Sequence, residues 1–168
     1  MGYAEVFLRR DENLRQLRKI DSPAELKIIY HLRKEIMKGF NSNIEQDTLD
    51  NRDFRRVLYT AKHSQLVLMS LQPKEEIGME THPENDQFLR FEGGSGACFI
   101  DDNRYEVSDG DAVIVPAGAR HNVVNLSETE HLKIYTIYSP PHHKDGTVHA
   151  TKKDAETDDE EFDGKTTE

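Results

Sequence analysis

The feature that most constrains the fold is the stretch Gly110–Asn125, which predicts two short strands joined by a sharp turn. Its opening glycine suits a turn into a strand, and the apolar run Ala112–Val115 suits the strand itself. Pro116 and Gly118 are typical of a chain reversal, because proline presets φ and glycine adopts positive φ without strain. His121 then begins the second strand, so its imidazole lies on a defined face. The stretch therefore indicates antiparallel β structure that holds a histidine near a turn.

The same alternation of short apolar runs and turn residues extends over residues 54–138. Strands this short and evenly spaced, separated by glycine, asparagine and aspartate, are typical of an antiparallel barrel or jelly roll. The fold class is therefore predicted to be all-β. The predicted strands are Arg55–Thr60, Gln65–Leu71, Ile77–His82, Phe88–Phe91, Ala97–Ile100, Tyr105–Val107, Ala112–Val115, His121–Asn125 and Leu132–Tyr138.

Three segments follow from the pattern along the chain. Residues 1–43 are predicted to form an N-terminal helical extension, because Ser22 to Glu25 form a capping box with proline at the first helical position. Residues 44–153 form the predicted barrel domain. Residues 154–168 hold eight acidic residues and one lysine, which account for −7 of the formal net charge of −10. With a single phenylalanine to bury, this acidic tail is predicted to be disordered.

The composition argues against several classes of partner. No cluster of lysine and arginine is interleaved with aromatic residues, so the sequence predicts no nucleic-acid partner. No apolar run approaches the length of a transmembrane helix, so no membrane segment is expected. The single cysteine, Cys98, excludes an intramolecular disulfide and lies in an apolar strand, where a buried structural thiol is expected. The expected location is the cytoplasm.

A second stretch, just before the middle of the chain, carries side chains that bind metal ions. Glu80 and His82 stand two residues apart, so on a strand their side chains share one face. An acid and an amide, Asp86 and Gln87, follow just downstream. Together with His121, these residues form a candidate metal site.

These two stretches resemble the two motifs of the cupin superfamily. Gly110–Asn125 fits the second motif, G-x5-P-x-G-x2-H-x3-N, at every position. The first motif runs approximately G-x5-H-x-H-x3-4-E-x6-G, and the chain matches its spacing as far as Gly94. Lys74, Glu80 and Gln87 replace its first glycine, its first histidine and its glutamate. The resemblance covers residues 54–138 and implies a double-stranded β-helix, the cupin barrel, in a chain that pairs through its sheets as a homodimer.

The resemblance also implies a metal site. In cupins the two histidines and the glutamate of the first motif, with the later histidine, hold one divalent metal ion. Carried over by position, the implied ligands are Glu80, His82, Gln87 and His121, with Asp86 as an alternative to Gln87 at the shorter spacing. The set keeps two imidazoles and one carboxylate, with the amide as a neutral oxygen donor. Such a set suits Fe(II), and related sites hold Mn(II), Co(II) or Ni(II), whereas Zn(II) favours fewer ligands.

Around this site the strands are predicted to form an apolar pocket for a small molecule. Alternation from Gln87 directs Leu89 and Phe91 inward and Phe88 and Arg90 outward. The other candidates for the pocket are Val67, Met69, Phe99, Ile114, Ile134 and Ile137, with Tyr59, Tyr105, Tyr135 and Tyr138.

The segment after the last predicted strand is irregular and rich in histidine, with His142, His143 and His149. It either folds over a barrel mouth, where it supplies a hydrogen bond to the metal site, or serves as a polar connector to the tail. The sequence leaves both alternatives open.

The resemblance leaves three functions open. Small cupins of this kind resemble the phosphomannose-isomerase-like group, which implies a metal-dependent enzyme acting on a sugar-like or carbonyl-containing molecule. The alternatives are an Fe(II)-dependent dioxygenase and a cupin that binds or senses a small molecule without turnover. No separate acid–base pair is evident, so no catalytic residue is assigned from the sequence, and no organic cofactor is expected.

Overall fold

The structure is a computed structural model in which residues 39–158 and 160–168 are described. Most of the helical extension predicted for residues 1–43 therefore lies outside the described residues. In chain order the elements are α1 (Ile44–Asp50), β1 (Arg55–Thr60), β2 (Gln65–Leu71), β3 (Glu80–Thr81), β4 (Asp86–Gly93), β5 (Ser95–Ile100), β6 (Asn103–Ser108), β7 (Ala112–Val115), β8 (Arg120–Asn125), β9 (Leu132–Ser139), β10 (Val148–His149) and α2 (Lys152–Thr157).

The strands pair into two antiparallel sheets around one core. The larger sheet has the order β10-β1-β2-β9-β4-β7, and the smaller sheet has the order β3-β8-β5-β6. Strands that follow each other in sequence, such as β2 and β3 or β7 and β8, lie in different sheets. This exchange between sheets is typical of a jelly roll and confirms the predicted all-β barrel. In the described part of the chain, no helix is long and apolar enough to span a membrane.

Alternation along the strands supplies the core. In β4 the buried residues Gln87, Leu89 and Phe91 alternate with the half-buried Phe88 and Arg90, as predicted. Side chains from both sheets meet in one cluster. Its members are Phe54, Val57, Val67, Met69, Leu71, Leu89, Phe91, Cys98, Val107, Val115, Val123, Leu132, Ile134 and Tyr138.

The orientation of β7 differs from the prediction. Ile114, predicted to line the pocket, is 66% exposed. The register pairs Ile114 with the outward-facing Phe88, whereas Val115 is opposite the buried Gln87. The strand consists only of apolar residues, so no polar side chain marks its outer face in the sequence. Of the other predicted pocket residues, Val67, Met69 and Ile134 are buried, whereas Phe99 and Ile137 are half-buried.

Two further details depend on single residues. The strand predicted at Ile77–His82 is reduced to β3, because Gly78 has a φ of 109° that interrupts extended backbone. Cys98 is fully buried, as predicted, and burial raises the pKa of its thiol to about 11. The thiol is therefore a core residue rather than a nucleophile.

The acidic tail differs from the predicted disorder. Helix α2 begins with a capping box in which Thr151 and Asp154 bond reciprocally. Beyond the helix, Glu160 lies 2.7 Å from the imidazole of His143, and the backbone N–H of Thr167 donates to the last carbonyl of β1. Hydrogen bonds to the barrel, together with packing of Ala155 against the core cluster, hold this segment, and composition alone does not reveal such contacts.

The substitution Leu89→Ala should lower the free energy of unfolding by about 2–5 kcal/mol, because it leaves a cavity at a fully buried position. Urea denaturation followed by circular dichroism measures the change. The matched control Leu126→Ala, at a side chain that is 42% exposed, should change it by less than about 0.5 kcal/mol. Equal losses in the two variants would contradict the assigned core.

Candidate metal centre

The pairing of β3 with β8 brings a carboxylate and an imidazole together. Glu80 and His121 are direct cross-strand partners, so their side chains lie side by side on one face of the sheet. His82 follows two residues after Glu80 and adds its ring to the same face. The backbone N–H of Gly118 donates to the carbonyl of His82 at 2.9 Å, which fastens the chain after β3 to the turn before β8.

These three side chains form one cluster, called here the Glu–His–His cluster. Oε1 of Glu80 lies 3.2 Å from Nε2 of His82 and 3.4 Å from Nε2 of His121. One potential ligand atom from each residue lies within 4.8 Å of the others. The imidazoles are almost fully enclosed, whereas the Glu80 side chain is 25% exposed. The cluster therefore meets solvent on the Glu80 side.

The ligand atoms of the cluster have no ordinary hydrogen bonds. Nε2 of His82, Nε2 of His121 and Oε1 of Glu80 are buried, and no described residue offers them hydrogen-bond geometry. Nδ1 of His121 lies 3.1 Å from the carbonyl oxygen of Ala119. Because a carbonyl only accepts, Nδ1 carries the hydrogen and Nε2 keeps its lone pair for the cluster. Converging lone pairs that lack partners fit a bound cation.

Gln87 and Asp86 face opposite sides of β4. Gln87 is buried, and its amide N–H donates to Oγ1 of Thr136 at 3.1 Å, so its oxygen lies free in the interior. Asp86 is exposed, and its carboxylate accepts from the backbone N–H of Ala117 at 2.9 Å. The structure thus brings Glu80, His82 and His121 together. Of the two candidates for a fourth ligand, the Gln87 amide points inward from the opposite sheet, whereas the Asp86 carboxylate is exposed.

The charge states within the cluster depend on each other. Burial alone raises the pKa of Glu80, but its contacts with His121 and His82 outweigh burial and hold the pKa well below its usual range. Burial likewise lowers the pKa of His121, but Glu80 and the carbonyl of Ala119 outweigh it and raise that pKa. A proton and a metal ion therefore compete for the same imidazole nitrogen.

The histidine-rich segment lies against the cluster. The His142 ring is 4.2 Å from the His82 ring and the Tyr138 ring is 5.5 Å from it, measured between centroids. Burial, with the charges of His143 and His82, lowers the pKa of His142 to about 4. The segment is therefore more than a connector, and it packs on one of the candidate ligands. Of the other tyrosines considered for the pocket, Tyr105 is 47% exposed.

Sequence reasoning missed the residues that hold this segment in place. Glu160 belongs to the acidic tail, and its side chain is only 6% exposed where it meets His143. Gln65 and Arg55 stand on the first two strands and contact the same region. Nothing in the sequence separates Glu160 from its acidic neighbours, because its burial depends on contacts more than fifteen residues away.

The donor set determines which ions fit. Two imidazoles, one carboxylate and the buried, unpaired amide oxygen of Gln87 suit divalent ions that take mixed nitrogen and oxygen ligands, such as Fe(II), Mn(II), Co(II) and Ni(II). The tautomer of His121 and the direction of the Gln87 amide both leave electron pairs available. The residues present therefore fit a divalent metal ion.

Comparison with known proteins supports the fold. A family model described as "Cupin domain" matches residues 67–138. The uncharacterized protein YrkC of Bacillus subtilis is 42% identical over 151 residues, which cover 83% of this chain and 81% of that protein. The uncharacterized protein L612 of Acanthamoeba polyphaga mimivirus is 44% identical over 109 residues, covering 63% of this chain and 68% of that protein.

A solved structure also supports this fold. The crystal structure of BH2720 from Bacillus halodurans is 45% identical to this chain, with a TM-score of 0.70. The match covers 74% of this chain and 98% of that one. The residues matched by the cupin-domain model, 67–138, run from within β2 to within β9 and include Glu80, His82 and His121. This chain belongs to the cupin superfamily.

Proposed function

We propose that this cupin binds one divalent metal ion and acts on a small sugar-like or carbonyl-containing molecule, as an isomerase-like enzyme. The proposed ligands are Glu80, His82, His121 and Gln87. The observation that carries the proposal is the convergence of buried nitrogen and oxygen lone pairs without hydrogen-bond partners in the described part of the chain. A divalent ion at this position supplies Lewis-acid polarisation of a carbonyl or hydroxyl oxygen.

The protein residues around the cluster support binding of such a molecule. Glu80 marks the side open to solvent, so we propose that the substrate enters there. On the other side, the rings of Tyr138 and His142 pack on His82 and shield it from water. Tyr138 belongs to the same apolar core cluster as Phe91. An apolar enclosure with a few converging polar groups is typical of a small-molecule site.

The ligand assignment predicts that the purified protein binds about one divalent ion per chain. His82→Ala and His121→Ala should abolish binding, because each removes an imidazole from the cluster. Gln87→Ala should weaken binding, whereas Asp86→Ala should not, because Asp86 points outward. Elemental analysis after dialysis against Mn(II) or Co(II) measures the stoichiometry.

A matched control for the histidine variants is His63→Ala, at an exposed residue between β1 and β2. This variant should retain the metal content of the unmodified protein. A wild-type protein that takes up no metal on reconstitution would contradict the proposed centre. Loss of metal in Asp86→Ala but not in Gln87→Ala would reverse the assignment of the fourth ligand.

A second candidate function is oxygen-dependent oxidation. The specific observation is the cluster itself, because two histidines and one carboxylate are the donors used by non-haem Fe(II) oxygenases. The two candidates differ in their need for oxygen. Isomerisation leaves the substrate mass unchanged, whereas dioxygenation adds oxygen atoms.

Oxygen dependence should therefore separate the two candidates. The Fe(II)-loaded and Mn(II)-loaded proteins are incubated with a panel of hydroxyaldehydes, hydroxyketones and sugar phosphates, under air and under argon. Chromatography coupled to mass spectrometry reads the products, because an isomer of unchanged mass differs from its substrate in retention time, and an oxygen electrode reads oxygen consumption. We expect a product of unchanged mass in both atmospheres. A product of increased mass formed only under air would favour the oxygenase, and a ligand that binds but is released unchanged would identify a binding cupin.

The proposed assembly is a homodimer formed through the outward face of the larger sheet. Strand register aligns one apolar row across five strands of this face: Tyr59, Leu66, Ile137, Phe88 and Ile114. Such a row resembles the apolar centre of a protein interface. A second copy of the chain is the expected occupant, because cupins commonly pair through their sheets.

The substitution Ile114→Asp should shift the dimer towards monomer, because it places a charge at one end of the apolar row that the dimer would bury. Size-exclusion chromatography with light scattering measures the mass. Leu126→Asp, at an exposed leucine that is not in the row, should leave the mass unchanged. A monomeric wild-type protein, or a dimer that persists in Ile114→Asp, would contradict this interface.

A further inference from the structure

Residues 160–168 form a strap that is tied to the barrel by hydrogen bonds. The backbone N–H of Thr167 donates to the carbonyl of Thr60 at 3.0 Å, and the N–H of Thr60 donates to Oγ1 of Thr167 at 2.8 Å. The N–H of Phe162 donates to the carbonyl of His142 at 3.0 Å. This segment, called here the strap, therefore docks on β1 and on the histidine-rich segment that follows β9.

The strap docks with little apolar burial. In the preceding helix α2, Ala155 packs against the core cluster, but no residue of 160–168 does so. Its phenylalanine, Phe162, is only half-buried. Water competes for each hydrogen bond, so each one adds little net stability. A segment held in this way opens locally at a low cost in free energy, and a change in a single group shifts its docked population.

The strap places a carboxylate against a buried imidazole. Oε1 of Glu160 lies 2.7 Å from Nδ1 of His143, and the two side chains are 6% and 5% exposed. The other oxygen of Glu160 accepts from the backbone N–H of Lys144 at 2.8 Å. The guanidinium of Arg55 lies 3.9 Å from the same carboxylate. The docked strap therefore covers the imidazole of His143.

His143 itself is held by the barrel. Its backbone N–H donates to Oε1 of Gln65 at 2.8 Å, and its carbonyl accepts from Nε2 of Gln65 at 2.6 Å. Gln65 belongs to β2 and is fully buried. These bonds do not involve the strap, so the strap is able to leave while His143 keeps its position. The imidazole then exchanges its contact with Glu160 for contact with water.

The docked strap favours a neutral His143 ring. A carboxylate only accepts hydrogen bonds, so Nδ1 carries the ring hydrogen. Nε2 is buried and makes no hydrogen bond with residues 39–158 or 160–168. A second proton on the ring therefore places in the interior both a charge and an N–H group without an acceptor. Undocking removes this cost, because water solvates the charged ring.

A layer of rings separates His143 from the metal centre. The His142 ring is 4.7 Å from the His143 ring and the Tyr138 ring is 5.1 Å from it, between centroids. Both of these rings contact His82. The strap therefore covers the ring layer on the side away from the metal centre. The titratable and charged groups that face His143 from the barrel and the strap are Arg55, Glu80, Tyr138, His142 and Glu160.

The pKa shifts of the pair give the direction of the pH dependence. Burial lowers the pKa of His143 from its ordinary value of 6.5, and the contact with Glu160 offsets this only in part. Burial raises the pKa of Glu160, but His143, the Lys144 N–H and Arg55 outweigh it and lower that pKa from 4.5. A lowered pKa stabilises docking above the pKa of the free group, and this stability is lost as the pH falls below it. Docking should therefore weaken as the pH falls through 6.5, and Glu160 adds to this only below 4.5.

We propose that acid releases the strap, which docks over the neutral imidazole of His143 and leaves when that imidazole takes up a proton from water. The proton binds the lone pair of Nε2, and water hydrates the imidazolium once Glu160 has moved away. Release admits water to His143 and to the ring layer that packs on His82. The device needs no metal ion, so it stands apart from the proposed function.

Amide hydrogen exchange of the whole metal-free chain tests the release. The protection factors of the Phe162 and Thr167 amides, corrected for the intrinsic effect of pH, should fall about tenfold between about pH 7.5 and about pH 5.5, because the free imidazole becomes charged over this range. The amides of β9, in the interior of the larger sheet, are the internal reference and should keep their protection. Strap protection that does not change with pH in the wild type overturns the proposal.

Substitution of each buried histidine shows which one senses the proton. His143→Gln should remove the pH dependence, because its amide N–H donates to Glu160 but does not titrate. His149→Gln is the matched control, since Nε2 of His149 is also buried and lies 3.1 Å from Asp158, which precedes the strap. This control should keep the wild-type pH dependence. Loss of the dependence in His149→Gln but not in His143→Gln overturns the assignment to His143.

The charge state of His143 decides the matter even where His143→Gln fails to dock at any pH. Long-range ¹H–¹⁵N correlation spectra of the wild type should show a neutral ring with its hydrogen on Nδ1 at neutral pH. In acid, the charged ring should appear in step with the loss of protection at Phe162 and Thr167, which supports the proposal. A His143 ring that becomes charged while both amides stay protected overturns it. Failure of metal uptake leaves all these results unaffected.

Discussion

The site depends on the cross-strand pairing of Glu80 with His121. This pairing places a carboxylate beside an imidazole on the inner face of a short two-residue strand, and the next inward residue, His82, completes the cluster. The ligand atoms that result are costly in a barrel interior, because they have given up water and gained only their contacts with each other, at 3.2 and 3.4 Å, in place of well-formed hydrogen bonds. Core side chains such as Leu89 and Phe91, both fully buried, supply the burial that offsets this cost.

Much of the fold could be predicted because its turns are encoded locally. Pro116 and Gly118 specify the reversal before β8, and β1, β2 and β7 have the predicted bounds. The direction of β7 could not be predicted, since an all-apolar strand has no polar side chain to mark solvent, and Ile114 proved to face outward. Alternation succeeded in β4 because Gln87 and Arg90 provide polar reference points on its two faces.

The part of the candidate site that could be predicted is the part that depends on the spacing of residues along the strands. Residues two apart on one strand, as Glu80 and His82 are, must share a face, and the turn fixes where His121 begins. The carboxylate beside His143 was not predictable, because Glu160 is one acid among eight in the tail and is selected only by long-range contacts. Composition describes only the average polarity of the tail, whereas the packing of the tail against the barrel depends on individual hydrogen bonds.

The substitutions in the first cupin motif move the negative charge of the site from a deeply buried position to one nearer to solvent. The family pattern has a glutamate where this chain has Gln87, which is 1% exposed, and a histidine where it has the more exposed Glu80. A neutral amide at the deeply buried position avoids the cost of desolvating a charge, and Thr136 satisfies its N–H group. The carboxylate instead lies at the solvent side, between two imidazoles that hold it ionised. In the proposed centre, a metal ion would meet its one anionic ligand on the side from which we propose that a substrate enters, so the charge of Glu80 would act on substrate binding as well as on the metal ion.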